Sequence, residues 1–473
     1  MGQEIDSAEF DEADFSEFRT KLERETELLG RYFRDGMLSQ RGGVGGYELE
    51  AWLVDGRGDP AGRNVAFLEQ LASDKVVAEL ATFNVELNSD PRPLCGVTLA
   101  RMQTELAENV ASARTVAQSI GADLTMIGIL PTVGRAHLNL AHMSPLRRYR
   151  ALNEQVLRLR NGRPIRLHIT GDREELRYEH GDVMLESAAT SFQVHYKVAP
   201  AEGVRIFNAS VVASAPILAV AANSPYLFGR ELWEETRVPL FEQSVSVGGS
   251  ESTRRVTFGL DYVSQSLLEC FQANLERFPV LLPMNSDEPA EHFAHLRLHN
   301  GTIWRWNRPL IGFDDDGTPH LRVEHRVMPA GPSVADTIAN AAFYFGLAHC
   351  LATQATPPEK EIPFAVAKDN FYAAARHGLD ARVRWTGGRM GSVSDLIEQI
   401  LLPEARDGLK RLGMDTSDSE HFLGIIGERV RRGTNGARWQ REFVARYGND
   451  MRALCLAYRE NQSSGLPVHQ WSI

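Results

Sequence analysis

Cysteine is scarce in this chain of 473 residues, and its four copies lie far apart. No pair among Cys95, Cys270, Cys350 and Cys455 has the spacing of a metal-binding motif, and the sequence shows no disulfide framework. Buried free thiols in a reducing compartment fit this pattern, so we expect a cytoplasmic protein. The length is ample for a large hydrophobic core.

Positive charge and long apolar runs are also in short supply. The formal net charge of −11 argues against nucleic acid as the main partner, because phosphate backbones need a basic surface. The acidic residues 1–14 predict a solvated lead-in without the basic and apolar parts of a signal peptide. The longest apolar run, residues 209–222, is shorter than the ~20 residues that cross a bilayer. That run predicts a buried core helix and no membrane partner.

The stretch from Gly45 to Leu53 alternates between apolar and polar residues, as a half-buried strand does. Glu48 and Glu50 then lie side by side on one face of that strand. Two such carboxylates repel each other unless a cation lies between them. A Glu-x-Glu pair seen alone is more often a solvated outer face, so both interpretations stay open here.

Three later segments repeat this alternation and also predict strands with polar faces. Their polar residues are Asn84, Glu86 and Asn88, then Ser191, Gln193, His195 and Lys197, then Arg322, Glu324 and Arg326. A sheet face that merely met water would carry more Thr, Ser and Lys. Acids together with forked arginine side chains suit a site that holds Mg²⁺ and phosphate.

These motifs resemble, in their order along the chain, the glutamate–cysteine ligase type 2 family of carboxylate–amine ligases. The stretches that carry the resemblance are Gly46-Tyr47-Glu48-Leu49-Glu50, Val85-Glu86-Leu87-Asn88, Gln193-Val194-His195, Asn223-Ser224-Pro225-Tyr226 with Arg237, Val323-Glu324-His325-Arg326, and Ala375-Arg376-His377-Gly378-Leu379. The resemblance runs from about Gly45 to Ala381.

The resemblance implies the glutamine-synthetase-like catalytic fold. We therefore expect an α+β protein with a curved, mainly antiparallel sheet, whose polar concave face is the active site and whose other side is backed by helices. Residues 1–40 would form the acidic lead-in and an N-terminal helix. Residues 41–385 would form the catalytic unit, and residues 386–473 a helical C-terminal part packed on the same unit.

The resemblance also implies ATP-dependent ligation of a carboxylate to an amine through an acyl phosphate. The carboxylate would be the γ-carboxyl of glutamate, and cysteine would be one candidate amine. We predict Mg²⁺ as the metal, with ligands from Glu48, Glu50, Glu86 and Glu324. Arg326 and Arg237 would hold phosphoryl or carboxylate oxygens, Gln193 and His195 would position nucleotide or metal, and Arg308 and Arg376 are further candidates.

Two other functions stay open at this point. A metal-dependent amidohydrolase would place several histidines at strand ends, and only His195 is well placed for that. A non-catalytic member of the family would bind nucleotide or amino acid without turnover. The polar stretch from Glu242 to Thr253 is interpreted as a mobile loop over the site. The amine substrate and the oligomeric state stay open as well.

Overall fold

Fourteen strands lie within residues 9–247 and 254–473, the part of the chain that the computed structural model describes. They are β1 (Val44–Val54), β2 (Val76–Ala78), β3 (Asn84–Asn88), β4 (Arg92–Pro93), β5 (Asp123–Thr125), β6 (Ile165–Thr170), β7 (Glu175–His180), β8 (Ser191–Val198), β9 (Tyr226–Leu227), β10 (Arg230–Glu231), β11 (Asn307–Phe313), β12 (Pro319–Pro329), β13 (Arg382–Arg384) and β14 (Met390–Ser392). Eight strands form one antiparallel sheet in the order β11–β12–β8–β1–β3–β2, with β4 and β5 paired along β1. This sheet curls into a half-barrel.

Helices surround the sheet and account for most of the C-terminal third of the chain. The α-helices are α1 (Glu12–Asp35), α2 (Asn64–Leu71), α3 (Thr98–Ser119), α4 (Arg147–Leu159), α5 (Pro200–Ala221), α6 (Arg237–Ser244), α7 (Leu268–Arg277), α8 (Ala294–Gly301), α9 (Val334–Thr353), α10 (Phe364–His377), α11 (Val393–Leu396), α12 (Leu402–Arg411), α13 (Thr416–Arg432), α14 (Gly436–Tyr447) and α15 (Met451–Ser463). Helices α5 and α9 pack on β8, α5 also packs on β12, and α12 and α13 pack on α9. The predicted fold class, a curved antiparallel sheet backed by helices, is confirmed.

The central strand β1 shows how alternation divides the sheet into two faces. Tyr47 and Leu49 are buried in the main hydrophobic cluster with residues of α5 and α9. Glu48 and Glu50 lie on the opposite face, because successive strand residues point to opposite sides. The backbone register sets Glu50 opposite Glu86 on β3, and Glu48 opposite a β8 residue. The polar residues of neighbouring strands therefore meet on one face.

Helix α5 contains the apolar run that the sequence predicts to be a core helix, and this prediction is confirmed. The helix begins at Pro200 and is therefore longer than the apolar run alone. Among the described residues, this one helix is long and apolar enough to cross a membrane by length and composition, and 89% of its apolar window is buried inside the protein. Its role in this structure is to fill the space behind the sheet.

The loop predicted over residues 242–253 is only partly open to comparison. Residues 1–8 and 248–253 lie outside the described part of the chain. Glu242 is not in a loop, because it lies in α6, where its Oε1 accepts hydrogen bonds from Trp306 Nε1 at 2.9 Å and Tyr372 Oη at 2.8 Å. That part of the prediction is wrong, because Glu242 belongs to a helix and its side chain is held by two aromatic partners.

The C-terminal helices share their hydrophobic contacts with the rest of the protein. Residues of α12 and α13 belong to the main hydrophobic cluster, while α14 and α15 supply Trp439 and Tyr458 to a second cluster that contains Trp52 of β1. The two clusters lie on either side of the same central strand, since Trp52 and Leu53 alternate. The exact boundaries of the three predicted parts stay a prediction.

A close crossing of α9 and α12 offers a test of this packing. A Cβ atom added at Gly408 would overlap the carbonyl oxygen of Gly346 on the facing helix. We expect Gly408→Ala to lower the free energy of unfolding by more than about 2 kcal/mol, because the two helices must separate. Gly424→Ala is the control, since no atom lies within 4 Å of a Cβ added there. It should raise stability by up to about 1 kcal/mol in urea titrations. Equal effects of the two substitutions would contradict this packing.

Candidate active site

Two groups of possible metal ligands lie on the polar face of the sheet. The first, which we call the histidine group, consists of Glu48, His195 and Glu324. The second, the carboxylate group, consists of Glu50, Glu79 and Glu86. Within each group, one ligand atom from every residue lies within 4.8 Å of the others. Strands β1, β3, β8 and β12 thus bring together five of the predicted residues, and Glu79 joins them from the end of β2.

The register of β12 and β1 on β8 builds the histidine group. Glu324 on β12 is directly opposite His195 on β8, and the Nε2 atom of His195 lies 3.2 Å from Oε1 of Glu48. Burial alone would raise the pKa of Glu48, but the charge of the neighbouring imidazole lowers this pKa below its ordinary value. Glu48 is therefore a carboxylate at neutral pH.

Burial raises the pKa values of all three acids in the carboxylate group, and the charges of nearby arginines offset this only in part. Glu86 is 0% exposed, and its burial together with repulsion from Glu48 raises its pKa to about 8. Burial and repulsion from Glu86 and Glu50 raise the pKa of Glu79 well above its ordinary value. Glu50 is the best hydrogen-bonded member, since Ser191 donates to it from both its backbone N (2.7 Å) and its Oγ (2.9 Å). The group is arranged to receive a cation.

Both groups fit a divalent cation by the chemistry of their donor atoms. Carboxylate oxygens bind Mg²⁺ at about 2.0–2.1 Å, so two ligand atoms of one ion lie no more than about 4.2 Å apart, and spacings of up to 4.8 Å need only a small side-chain adjustment. Within the described residues, Oε2 of Glu48 and Oε1 of Glu79 are buried and accept no hydrogen bond. Buried oxygens of this kind are costly unless a cation or donor satisfies them. These atoms are therefore suited to coordinate metal.

Arginine side chains border the histidine group on the β11 side. Arg308 donates to Glu324 from Nε (2.8 Å) and Nη2 (3.1 Å) in a bidentate contact. Nη1 of Arg326 lies 3.2 Å from the same carboxylate and also donates to Oε1 of Gln193. Burial alone would raise the pKa of Glu324, but Arg308 and Arg326 lower it to about 2. Glu324 is therefore ionised and held in one orientation.

The amide of Gln193 links Arg326, which lies beside the histidine group, to Glu50 of the carboxylate group. Its Oε1 accepts from Arg326, and its Nε2 donates to Oε1 of Glu50 at 3.0 Å. Because the amide is 0% exposed, its two ends fix the relative position of Arg326 and Glu50. The sequence predicts that Gln193 positions nucleotide or metal, and its observed partners are these two side chains.

Two predicted arginines have their hydrogen-bond partners outside the metal-ligand groups, although the charge of Arg237 acts on Glu50. Arg237, at the start of α6, donates to Glu235 and to backbone carbonyls of β12. Arg376, near the end of α10, is partly exposed and donates to Asp172 at 2.9 and 3.0 Å. The direct substrate contacts that the sequence predicts for both residues stay a prediction.

Three residues near the groups are not among the predicted ones. Glu79 lies just past the short strand β2, so no alternating pattern marks it. Glu186 belongs to a 3-10 turn over Val183–Ala188 whose other five side chains are buried, and burial with repulsion from Glu50 raises its pKa to about 8. Arg322 shares the polar face with Glu324, and its charge acts on Glu48 and Glu324. In the sequence, the position of Arg322 two residues before Glu324 in the alternating segment is the signal that could have identified it as a site residue.

A solvent-filled cavity of about 780 Å³ lies elsewhere on the protein. It is lined by residues that include Thr132, Arg135, Phe228 and Arg452, and it includes none of the acids described above. Among the described residues that line it, none belongs to the histidine group or the carboxylate group. The chemistry of the side chains therefore favours the sheet face as the candidate active site.

Comparison with known proteins identifies the family of this chain. The sequence profile of the glutamate–cysteine ligase family 2 matches residues 44–457. The chain belongs to this family. The family resemblance predicted from the motifs is thus confirmed, and membership supports a ligase that joins a carboxylate to an amine. Comparison with curated proteins gave no match.

Two solved structures share the fold of this family member. The glutamate–cysteine ligase of Francisella tularensis, solved in complex with AMP, has a TM-score of 0.58 at 12% identity, with 92% of this chain and 91% of that chain covered. A bifunctional glutathione synthetase from Pasteurella multocida has a TM-score of 0.54 at 10% identity. The match covers 93% of this chain and 55% of that one. At these identities the likeness establishes the fold alone.

The carboxylate group predicts an unusual dependence of stability on pH. Folding raises the pKa of Glu86 to about 8, whereas an unfolded Glu side chain titrates near 4.3. Its contribution to stability is therefore full below about pH 4 and is lost as the pH rises through about 8. We expect metal-free Glu86→Gln to gain in Tm over the wild type as the pH rises from about 5 to about 9.

Glu105→Gln is the matched control for this prediction. Glu105 is also buried, but it is paired with Arg92 at 3.0 Å and Lys75 at 2.9 Å. Its substitution should lower Tm, because Arg92 loses its carboxylate partner and Lys75 is left with Asp90. A difference between Glu86→Gln and the wild type that does not grow with pH would contradict the raised pKa that burial and repulsion from Glu48 give Glu86.

Proposed function

We propose that this protein uses ATP and Mg²⁺ to join an amino-acid carboxylate to an amine through an acyl phosphate. The observation that carries the proposal is the pairing of two metal-ligand groups with a bordering arginine on one face of one sheet. Family membership supports the same reaction class. The γ-carboxyl of glutamate is the proposed electrophile, and cysteine is one candidate amine.

The proposed reaction needs such a site, because an unactivated carboxylate is a poor electrophile. Transfer of the γ-phosphoryl group to it yields a mixed anhydride, which the amine attacks with loss of phosphate. The transferring group spreads its charge over several oxygens, and fixed positive charges stabilise that charge. When bound, Mg²⁺ would supply much of this positive charge.

Each residue of the site has a proposed role in this reaction. Glu48, His195 and Glu324 would hold one ion, and Glu50, Glu79 and Glu86 a second. Arg326 would bind phosphoryl oxygens, since its guanidinium is already aimed at the polar face by Gln193 and Glu324. Arg308 would keep Glu324 ionised and hold its carboxylate in one orientation, as hydrogen-bond partners of metal ligands do.

The two rival functions find less support. A metal-dependent amidohydrolase would favour a histidine-rich site, and His195 is the one histidine within the two described groups. A binding protein without turnover would not need two ligand groups bridged by Gln193. We therefore propose ligation as the activity.

Hydroxylamine provides the decisive test, because it is small enough to enter an amine pocket of unknown shape. With ATP, Mg²⁺ and glutamate, we expect a hydroxamate and ADP in equal amounts. Glu324→Gln and Glu79→Gln should lower both products together by about 10²-fold or more, because each removes one ligand charge. Glu25→Gln is the control: Glu25 is buried, pairs with His295 and belongs to neither group, so this variant should form both products as the wild type does.

Each rival predicts a different result in this assay. An amidohydrolase would form hydroxamate from an amide without ADP, and a binding protein would form neither product. No hydroxamate across a panel of amino acids and dicarboxylates, with nucleotide binding confirmed, would refute the proposal.

Arg326 gives a second prediction for the proposed reaction. A guanidinium binds phosphoryl oxygens with two parallel hydrogen bonds, which an ammonium cannot reproduce. We expect Arg326→Lys to lower kcat by about 10²-fold, while the Kd of ATP changes by less than about threefold. Steady-state kinetics and calorimetry would measure the two quantities. A variant that mainly loses Tm and keeps kcat would assign Arg326 to structure instead.

A further inference from the structure

The strand that carries Arg326 loses its regular pairing at that residue. On β12, His325 is opposite Val194 of β8, but Met328 is opposite Phe192. Three steps along β12 thus match two along β8, which is a β-bulge with one extra residue. The bulge lets Val327 and Met328 both be buried in the core while Arg326 keeps to the polar face.

The bulge also lies beyond the strand that pairs with β12 on its other side. Strand β11 begins at Asn307, which is opposite His325, so the following β12 carbonyls have no β11 partner. Arg237 takes that place: its Nη1 donates to the carbonyl of Arg326 at 3.5 Å, and its Nη2 donates to that of Val327. A side chain therefore continues the hydrogen bonding of the sheet across the bulge.

Besides the two carbonyls, the guanidinium of Arg237 contacts Glu235 and Trp306. Its Nε donates to Oε1 of Glu235 at 3.2 Å, and its Cζ lies 5.2 Å from the centre of the Trp306 ring. Glu235 in turn accepts from Oγ of Ser224 at 2.6 Å and from the backbone N of Asn223 at 2.9 Å. Arg237 is 3% exposed and Glu235 is 0% exposed, so both side chains have little conformational freedom.

We propose that Arg237 is a positioning residue, which fixes the bulge of β12 and thereby aims Arg326 at Gln193 and Glu324. The inference rests on the proposed function only for what Arg326 does to substrate. It is an alternative to the direct contact with phosphoryl or carboxylate oxygens that the sequence predicts for Arg237, because the observed donors of this side chain face Glu235 and backbone oxygens. Its consequence is that Arg237 affects catalysis through Arg326.

A double-mutant cycle tests this dependence. We expect Arg237→Lys to lower kcat for hydroxamate formation by about tenfold or more, since a lysine reaches only one of the two carbonyls. In the Arg326→Lys background, the same substitution should cost less than about twofold, because the side chain that it positions is gone. Effects that multiply in the double variant would overturn the proposal, since independent action or direct substrate contact gives that result.

Arg429→Lys is the matched control for a general loss of stability. Arg429 is 0% exposed and pairs with Asp336 at 2.8 Å, and its hydrogen-bond partners lie on α9 and α5, not on β12. This variant should lose Tm to a similar degree and keep kcat within about twofold of wild type. A drop in kcat equal to that of Arg237→Lys would mean that general loosening explains both results, and would overturn the proposal.

An activity-independent measurement separates this inference from the proposed function. The Nε–H signal of Arg326 in a ¹⁵N NMR spectrum can be assigned by its disappearance in Arg326→Lys. We expect that signal to shift in Arg237→Lys and to stay in place in Arg429→Lys. An unshifted signal would overturn the positioning role. A shifted signal in a protein that forms no hydroxamate would support the positioning role and refute only the ligase.

Discussion

Mutual repulsion among buried carboxylates is the constraint around which this protein is arranged. Glu48, Glu50, Glu79, Glu86 and Glu324 lie on or beside one sheet face, where the low dielectric strengthens every interaction between charges. The backbone ladder of β1 with its two neighbours holds the strand acids at fixed spacing, so they cannot move apart. The metal-free protein compensates by keeping protons on some acids, as the raised pKa of Glu86 indicates.

The compensation is uneven across the face, and this unevenness distinguishes the two groups. Beside the histidine group, His195 lies 3.2 Å from Glu48 and Arg308 lies 2.8 Å from Glu324, and the pKa values of both acids are lowered. The carboxylate group is bordered mainly by hydrogen-bond donors, such as Ser191 on Glu50, and the pKa values of its three acids are raised. The acids of the first group are therefore ionised at neutral pH, whereas those of the second keep their protons to higher pH.

Much of this arrangement could be predicted from the sequence, and the reasons for the rest are local. Alternation in β1 and β3 identified Glu48, Glu50 and Glu86 because apolar residues separate them on both strands. Glu79 follows a strand of three residues, which is too short for a periodic signal. Arg237 was recognised as important from its motif, but its partners are backbone carbonyls freed by a bulge, and a bulge has no pattern in a single sequence. The fold class followed from motif order, whereas the register between strands required the structure.

The pairing of β1 with β8 also has a consequence for how the protein is made. Glu48 is opposite Gln193, and His195 is opposite Glu324, so the sheet joins segments that are more than a hundred residues apart in the chain. Such distant pairings form slowly, because a long loop must lose conformational entropy as it closes before any contact between the strands stabilises it. During synthesis, β3 emerges soon after β1 and can pair with it, which sets Glu50 opposite Glu86. Glu48 can meet His195 and Glu324 only after β8 and β12 have emerged.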